Sequence, residues 1–254
     1  EMDKYKPDKY GVEGLQYYQD LLALYNKWKN TSLDSDEKLS LQEKVLSAHK
    51  SYEQSIWDVS KQELQTRINL NQVQEGSVEQ IQNLLQLQKL LNSSAMTLVN
   101  TKENQLEIQK EIYDANKQYQ ENNYSKSLNQ LQSRLDLGVV RSGSKEELQN
   151  LQEIYKNLTT NSNMKLANTE EHRAEINQKI YENKKQSVEN DLSDLKAQES
   201  LGILQAGSLK SISKLERIKR NVKSLGLSTI DRQEKERAVQ EEINSEIQTY
   251  NQNQ

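Results

Sequence analysis

The chain has 254 residues, 33% apolar and 28% charged, with a formal net charge of −4, no Cys, no Phe and a single Pro. This composition excludes a disulfide framework, a thiolate zinc site and a cysteine nucleophile, and no run approaches the roughly 18 apolar residues of a membrane span. Near-balanced charge gives bulk electrostatics no preference for nucleic acid or an anionic membrane. The shortage of large apolar side chains argues against one thick core, and the lone Pro7, ahead of the first predicted helix, points to an all-α chain.

Taken in chain order, apolar spacing predicts a short helix over 12–29 and a long one over 36–72. The alternation continues with 77–92 and 102–137, then 144–160 and 169–201, then 208–225 and a truncated long helix over 231–250. The short helices repeat one apolar ladder: Leu15, Tyr18, Leu21, Tyr25; Ile81, Leu84, Leu87, Leu91; Leu148, Leu151, Ile154, Leu158; and Ile212, Leu215, Ile218, Val222. Steps of three, three and four residues describe one helix face. A second marker, an Ile or Val followed seven residues later by Tyr or Ser, begins at Val45, Ile112, Ile180 and Ile243. Both give a period of about 66 residues.

Three junctions between a long helix and the next short one share a pattern: LNQVQEGS from Leu70, LGVVRSGS from Leu137 and LGILQAGS from Leu201. Asn71, Gly138 and Gly202 stand just past a helix end, where a left-handed residue is wanted. Val73, Val140 and Leu204 are placed to cover the turn from its apolar side. Gly76, Gly143 and Gly207 precede Ser77, Ser144 and Ser208, which read as N-caps, with Gln80 and Glu147 completing capping boxes. The connections inside each unit, such as NTSLDSDE and TTNSNMKLANTEE, read as polar turns.

These elements imply about four tandem units: a partial one at 1–54, then 55–120, 121–188 and 189–254. A short helix folded back along the end of one long helix, with the start of the next, makes a three-helix bundle. Bundles sharing long helices give an elongated rod, at 1.5 Å per residue on the order of 100 Å long; a stacked-hairpin α-solenoid is the alternative. Tyrosine in place of phenylalanine suits a thin interface that leaves hydroxyls in water. A start and a stop within helical units read as a piece of a longer array.

Chemistry-bearing patterns are sparse. His49 and His172 lack a spaced second ligand and read as surface residues. Asp34, Asp36 and Glu37 lack the glycine and terminal glutamate of a calcium loop and read as helix capping. No nucleophile–base set occurs, so neither an enzyme nor a cofactor, metal or small-molecule substrate is expected. One charge anomaly stands out: Lys210, Lys214, Arg217 and Arg220, with Lys219 and Lys223, form a cationic face opposed within its helix only by Glu216. This is a weak candidate for anion contact, because the ladder behind it belongs to the core.

The Leu137-Gly138 turn, the Ser144 to Leu148 cap, the Ile112-Tyr113 and Ile180-Tyr181 pairs, and the tract GLQYYQDLLALYNKWK from Gly14 together resemble the helical repeat region of tail tape measure proteins of bacteriophages and prophages. The resemblance implies a structural protein that sets tail length and assists tail assembly, inside the virion tail and, during assembly, in the bacterial cytoplasm. Its expected partners are tail tube or assembly proteins, with self-association possible and nucleic acid and membrane not expected. The competing expectation is a helical spacer or binding array of a bacterial surface or scaffold protein.

Overall fold

Serine, threonine and aspartate at helix starts, with left-handed glycines after helix ends, divide this chain into helices. In the computed structural model, which describes residues 12–31 and 34–253, the elements are α1 Val12–Trp28, α2 Ser35–Asn69, α3 Val78–Leu91, α4 Lys102–Asp136, α5 Lys145–Thr160, α6 Glu170–Ser200, α7 Leu209–Ser224 and α8 Thr229–Gln252. A single 3-10 turn, Ser162–Met164, follows α5. The fold is all-α, and no strand occurs among the described residues. Pro7, Ser32 and Leu33 lie outside them. None of the described helices is long and apolar enough to cross a membrane.

Cap chemistry sets the boundaries. The side chains of Asp34, Ser77, Ser144, Thr169, Ser208 and Ser228 each accept a hydrogen bond from an amide in the first turn of the helix that follows. This satisfies donors that have no partner within the helix. The helices α2, α4 and α6 stop one to three residues short of the predicted ends, because those residues belong to the terminating turns, whereas α8 runs two residues past its predicted end.

The chain divides into two units, residues 1–119 and 120–254. In the first, Leu21, Leu41 and Ala48 form a small core between α1 and the start of α2. A second core there joins Trp57 and Leu64 of α2, Leu84, Leu87 and Leu91 of α3, and Ile108 and Ala115 of α4. In the second unit, Tyr124 of α4, Leu158 of α5 and Ile176 of α6 form one cluster. Val188 and Leu195 of α6, Leu215, Ile218 and Val222 of α7, and Val239 and Ile243 of α8 form another. Each buried aliphatic side chain contributes roughly 1.5–3 kcal/mol, so placement at helical spacing compensates for low apolar content.

Two expectations are corrected. The connections are not simply polar: Met96, Val99 and Ala167 are buried within them, because a segment folded back over the helices has apolar surface to cover. Nor do all tyrosine hydroxyls sit in water. Tyr124 is buried and donates to the Glu175 carboxylate at 2.7 Å and to the His172 carbonyl at 3.3 Å. Burial first, then Glu175, raises the Tyr124 hydroxyl well above its ordinary pKa.

Candidate functional site

The three junctions repeat at the level of single hydrogen bonds. In the first, the amides of Gln72 and Val73 both donate to the Arg67 carbonyl, and that of Asn71 donates to Ile68. In the second, Val139 and Val140 donate to Arg134, and Gly138 to Leu135; in the third, Ile203 and Leu204 donate to Gln198, and Gly202 to Glu199. This is a Schellman turn, which requires a left-handed residue just past the helix. Asn71, Gly138 and Gly202 adopt it, with φ of 55°, 67° and 69°. Val73, Val140 and Leu204 are buried beneath the turns, as their spacing predicts.

A second left-handed residue follows at Gly76, Gly143 and Gly207. The predicted capping boxes are corrected here. The side chains of Gln80 and Glu147 accept, each at 2.7 Å, from the amides of Gly76 and Gly143, one residue before the capping serine. The left-handed glycine swings its own N–H toward the first helical turn, so the reciprocal bond forms there. In the third junction Ser211 holds the corresponding position and is too short. The Glu246 carboxylate of α8 accepts instead from Gly207 at 2.6 Å, placing a negative charge at the N-terminus of α7. In the middle junction the equivalent long-helix residue, Asn183 of α6, donates to Glu147 at 2.7 Å and to the Ser144 carbonyl at 3.2 Å. Asn190 of the same helix donates to the Ser142 carbonyl at 2.6 Å, and Arg141 pairs with Asp194 at 2.8 Å.

At the first junction the equivalent residue of α4 is Ala115. There a groove of about 610 Å³ opens between the turn and α4, with Leu64, Leu84 and Ala115 in its floor and Asp58, Glu111 and Asp114 on its rim. Lys61, at its side, bridges Glu107 at 2.6 Å and Glu111 at 3.4 Å. Burial opposes its charge, yet these two carboxylates outweigh that and hold the ammonium above its ordinary pKa.

The connections after α3 and α5 are each anchored by the preceding long helix. The fully buried Glu53 carboxylate of α2 accepts from the amides of Leu98 at 2.6 Å and Val99 at 3.0 Å, from Thr97 Oγ1, and pairs with His49 Nε2 at 3.1 Å. Its counterpart on α4, Gln120, accepts from the Leu166 amide at 2.7 Å. The anchored loops carry one motif, Met96-Thr-Leu-Val-Asn-Thr101 and Met164-Lys-Leu-Ala-Asn-Thr169. Neither histidine is a free surface residue. His49 stacks on Tyr18 and His172 on Tyr124, both at 4.3 Å between ring centroids, and His172 Nδ1 lies 2.7 Å from the Ala167 carbonyl oxygen. They position connections.

The cationic face lies on α7, with Leu215, Ile218 and Val222 buried behind it. Lys214 donates to Gln198 and Lys219 to Gln240. Lys210, Arg217 and Arg220 are exposed. Burial and the neighbouring Asp194 raise the Asp191 carboxyl above its usual pKa, with Arg217 and Arg141 opposing. The face is therefore distributed along a helix rather than focused on a pocket, and no cluster of metal-ligating side chains occurs among the described residues. Comparison with models of known families, with curated proteins and with solved structures gave no match.

Proposed function

We propose that this chain is a structural, non-enzymatic helical-repeat segment of a phage tail tape measure protein, acting in tail length determination and tail assembly. The observation that carries the reading is the recurrence of one junction at three places, with the same turn bonds, buried residue and capping serine each time. Such recurrence suits a protein whose dimension, rather than its chemistry, is the product. In this reading, three-helix bundles linked through shared long helices form a slender rod of tandem units, and the tail tube and assembly proteins are its partners. The working location is the interior of the virion tail and, during assembly, the host cytoplasm.

Deleting residues 121–188 in register from the tail gene tests the reading by electron microscopy of the tails. A ruler packaged as extended helix shortens the tail by about 100 Å, at 1.5 Å per residue, whereas bundled repeats shorten it by roughly 27 Å. Unchanged tail length in viable particles overturns the reading.

A helical spacer or binding array of a bacterial surface or scaffold protein is the second reading. It is favoured by the apolar pairs that the junctions turn outward: Leu137 is 78% and Val139 63% exposed, and Leu201 is 72% and Ile203 70% exposed. Paired, periodic apolar side chains in solvent are contact points for another protein.

A further inference from the structure

The repeated junctions differ in how they treat charge. Arg67, at the end of α2, donates to Glu79 at 2.8 Å and to Asn83 at 3.2 Å. Arg134, at the end of α4, repeats this with Glu146 at 2.6 Å and Asn150 at 3.4 Å. At the third repetition the same three positions hold Gln198, Lys210 and Lys214, and the bond there runs the other way, from Lys214 to Gln198. An arginine–glutamate pair has been exchanged for uncompensated positive charge.

The exchange extends along the helix. α7 carries six cations, and none pairs with a carboxylate among the described residues. Lys219, like Lys214, donates to a neutral glutamine, Gln240, and Asp191 of α6 feels the charge of Arg217 without forming an ion pair with it. By contrast, Lys185 and Lys196 of α6 and Lys235 of α8 pair with Asp231, Glu242 and Glu189. Lys210, Ser213, Arg217 and Arg220, at steps of three, four and three residues, form one exposed stripe, with Lys223 beside it. The matching positions read Glu79, Gln82, Gln86, Lys89 on α3 and Glu146, Gln149, Glu153, Lys156 on α5. α7 shares a complete core with α6 and α8, so helices on both sides set which face it turns outward. Like charges three or four residues apart repel, and the packing of Leu215, Ile218 and Val222 does not require them.

The composition of the stripe selects its occupant. A polypeptide partner needs an apolar or aromatic anchor to desolvate, and a lipid surface needs apolar side chains to insert; the stripe offers neither. Residues 1–11, outside the described residues, carry three acids and three lysines and so bring no net negative charge. A phosphodiester backbone asks only for cations and small hydrogen-bond donors, and binding it releases condensed counterions. We propose that the outer face of α7 binds the phosphate backbone of nucleic acid, independently of base sequence, through Lys210, Arg217, Arg220 and Lys223, with Ser213 donating its hydroxyl between them. The site depends on the unpaired charge of α7 and not on the tail-protein reading, so the tail-length experiment and this one fail independently.

The test follows the anisotropy of fluorescein-labelled duplexes in two unrelated sequences as the full chain is added. Both are expected to bind alike, with a dissociation constant of about 1–100 μM near physiological salt. The logarithm of affinity should fall against that of salt concentration with a slope of about −3 to −4, as four phosphate contacts require. Arg217→Gln with Arg220→Gln flattens the slope by about 2 and weakens binding roughly tenfold or more, while circular dichroism keeps its helical signal. Arg232→Gln with Arg237→Gln removes the same charge from α8 cations paired to Glu236 and Glu241, and leaves slope and affinity nearly unchanged. Absence of binding at about 300 μM chain, or equal loss in the two double variants, overturns the proposal. Tighter binding to phosphatidylglycerol vesicles, or displacement of the duplex by polyglutamate at equal charge, overturns it in favour of a lipid surface or an acidic protein.

Discussion

The first junction and the last hold the same turn by different means. Around Gly76 the acceptor is local: Gln80 accepts the glycine amide, and α4 lines the adjoining groove with Glu111, Asp114 and Ala115. Around Gly207 the short helix carries Ser211, and the acceptor arrives from Glu246 of α8, 39 residues away in sequence. In the middle junction the acceptor is again local, Glu147, and Asn183 of α6 donates to that carboxylate and to the Ser144 carbonyl. A left-handed glycine donor needs an acceptor, and the donor's helix or the long helix after it provides one. Where the long helix reaches the turn, accepting through Glu246 or donating through Asn183, the turn is drawn tight against that helix.

The largest expected effect tests that tightness. A Cβ on Gly143 would lie 2.7 Å from Gln186 Cγ and 2.8 Å from the Gln186 carbonyl carbon, and one on Gly207 would lie 2.8 Å from the backbone of Thr249 and Tyr250. Gly143→Ala and Gly207→Ala therefore combine left-handed strain with collision against a helix backbone, at a cost of about 3 kcal/mol or more. Gly138 and Gly202 have equally positive φ but nothing within 4 Å of such a Cβ. Their alanine variants lose only about 1–2 kcal/mol. Urea melts of the four variants check the ordering, and equal losses would break the comparison.

A smaller effect concerns the exchanged acceptor. Glu246→Ala leaves the buried Gly207 amide without a partner and costs about 1–3 kcal/mol. Adding Ser211→Gln, whose amide can accept from Gly207 while its NH2 donates to Glu199 in place of the serine hydroxyl, restores a local acceptor of the Gln80 kind and recovers part of that loss. In a double-mutant cycle by chemical denaturation, additive losses would show that the two positions are not interchangeable.

The smallest effect is a pH dependence near the start of α8. The Asp231 carboxyl accepts from Tyr181 and Ser228 and pairs with Lys185, and these hold its pKa down to about 2. A depressed folded-state pKa contributes stability that is present above the unfolded value, near 3.9, and is lost as pH falls toward 2. Asp231→Asn should lower the melting temperature modestly at pH 6, and the difference from the parent chain should shrink toward pH 2. A difference independent of pH would assign the effect to packing instead.

Helices, caps and turns were legible because each depends on residues a few positions apart. The ladder from Ile81 and the Leu137-Gly138 turn carry their meaning locally, so the alternation of short and long helices follows from spacing alone. The long-range partners were not legible, because Glu53, Gln120, Asn183 and Glu246 act on backbone that lies 39 to 46 residues away. Two signals pointed to them. One is polar residues at 183 and 246, where the long-helix register elsewhere has Ala48 and Ala115. The other is the Met-x-Leu-x-Asn-Thr motif beginning at Met96 and Met164, which marks the connections as folded segments.

Small-angle X-ray scattering of the chain, alongside an in-register deletion of 121–188, tests the proposed rod most directly. Linked bundles predict a maximum dimension on the order of 100 Å that falls by roughly 27 Å on deletion. A maximum dimension under about 70 Å for the full chain, given the 1.5 Å rise of its helices, would contradict the rod and the spacing role built on it.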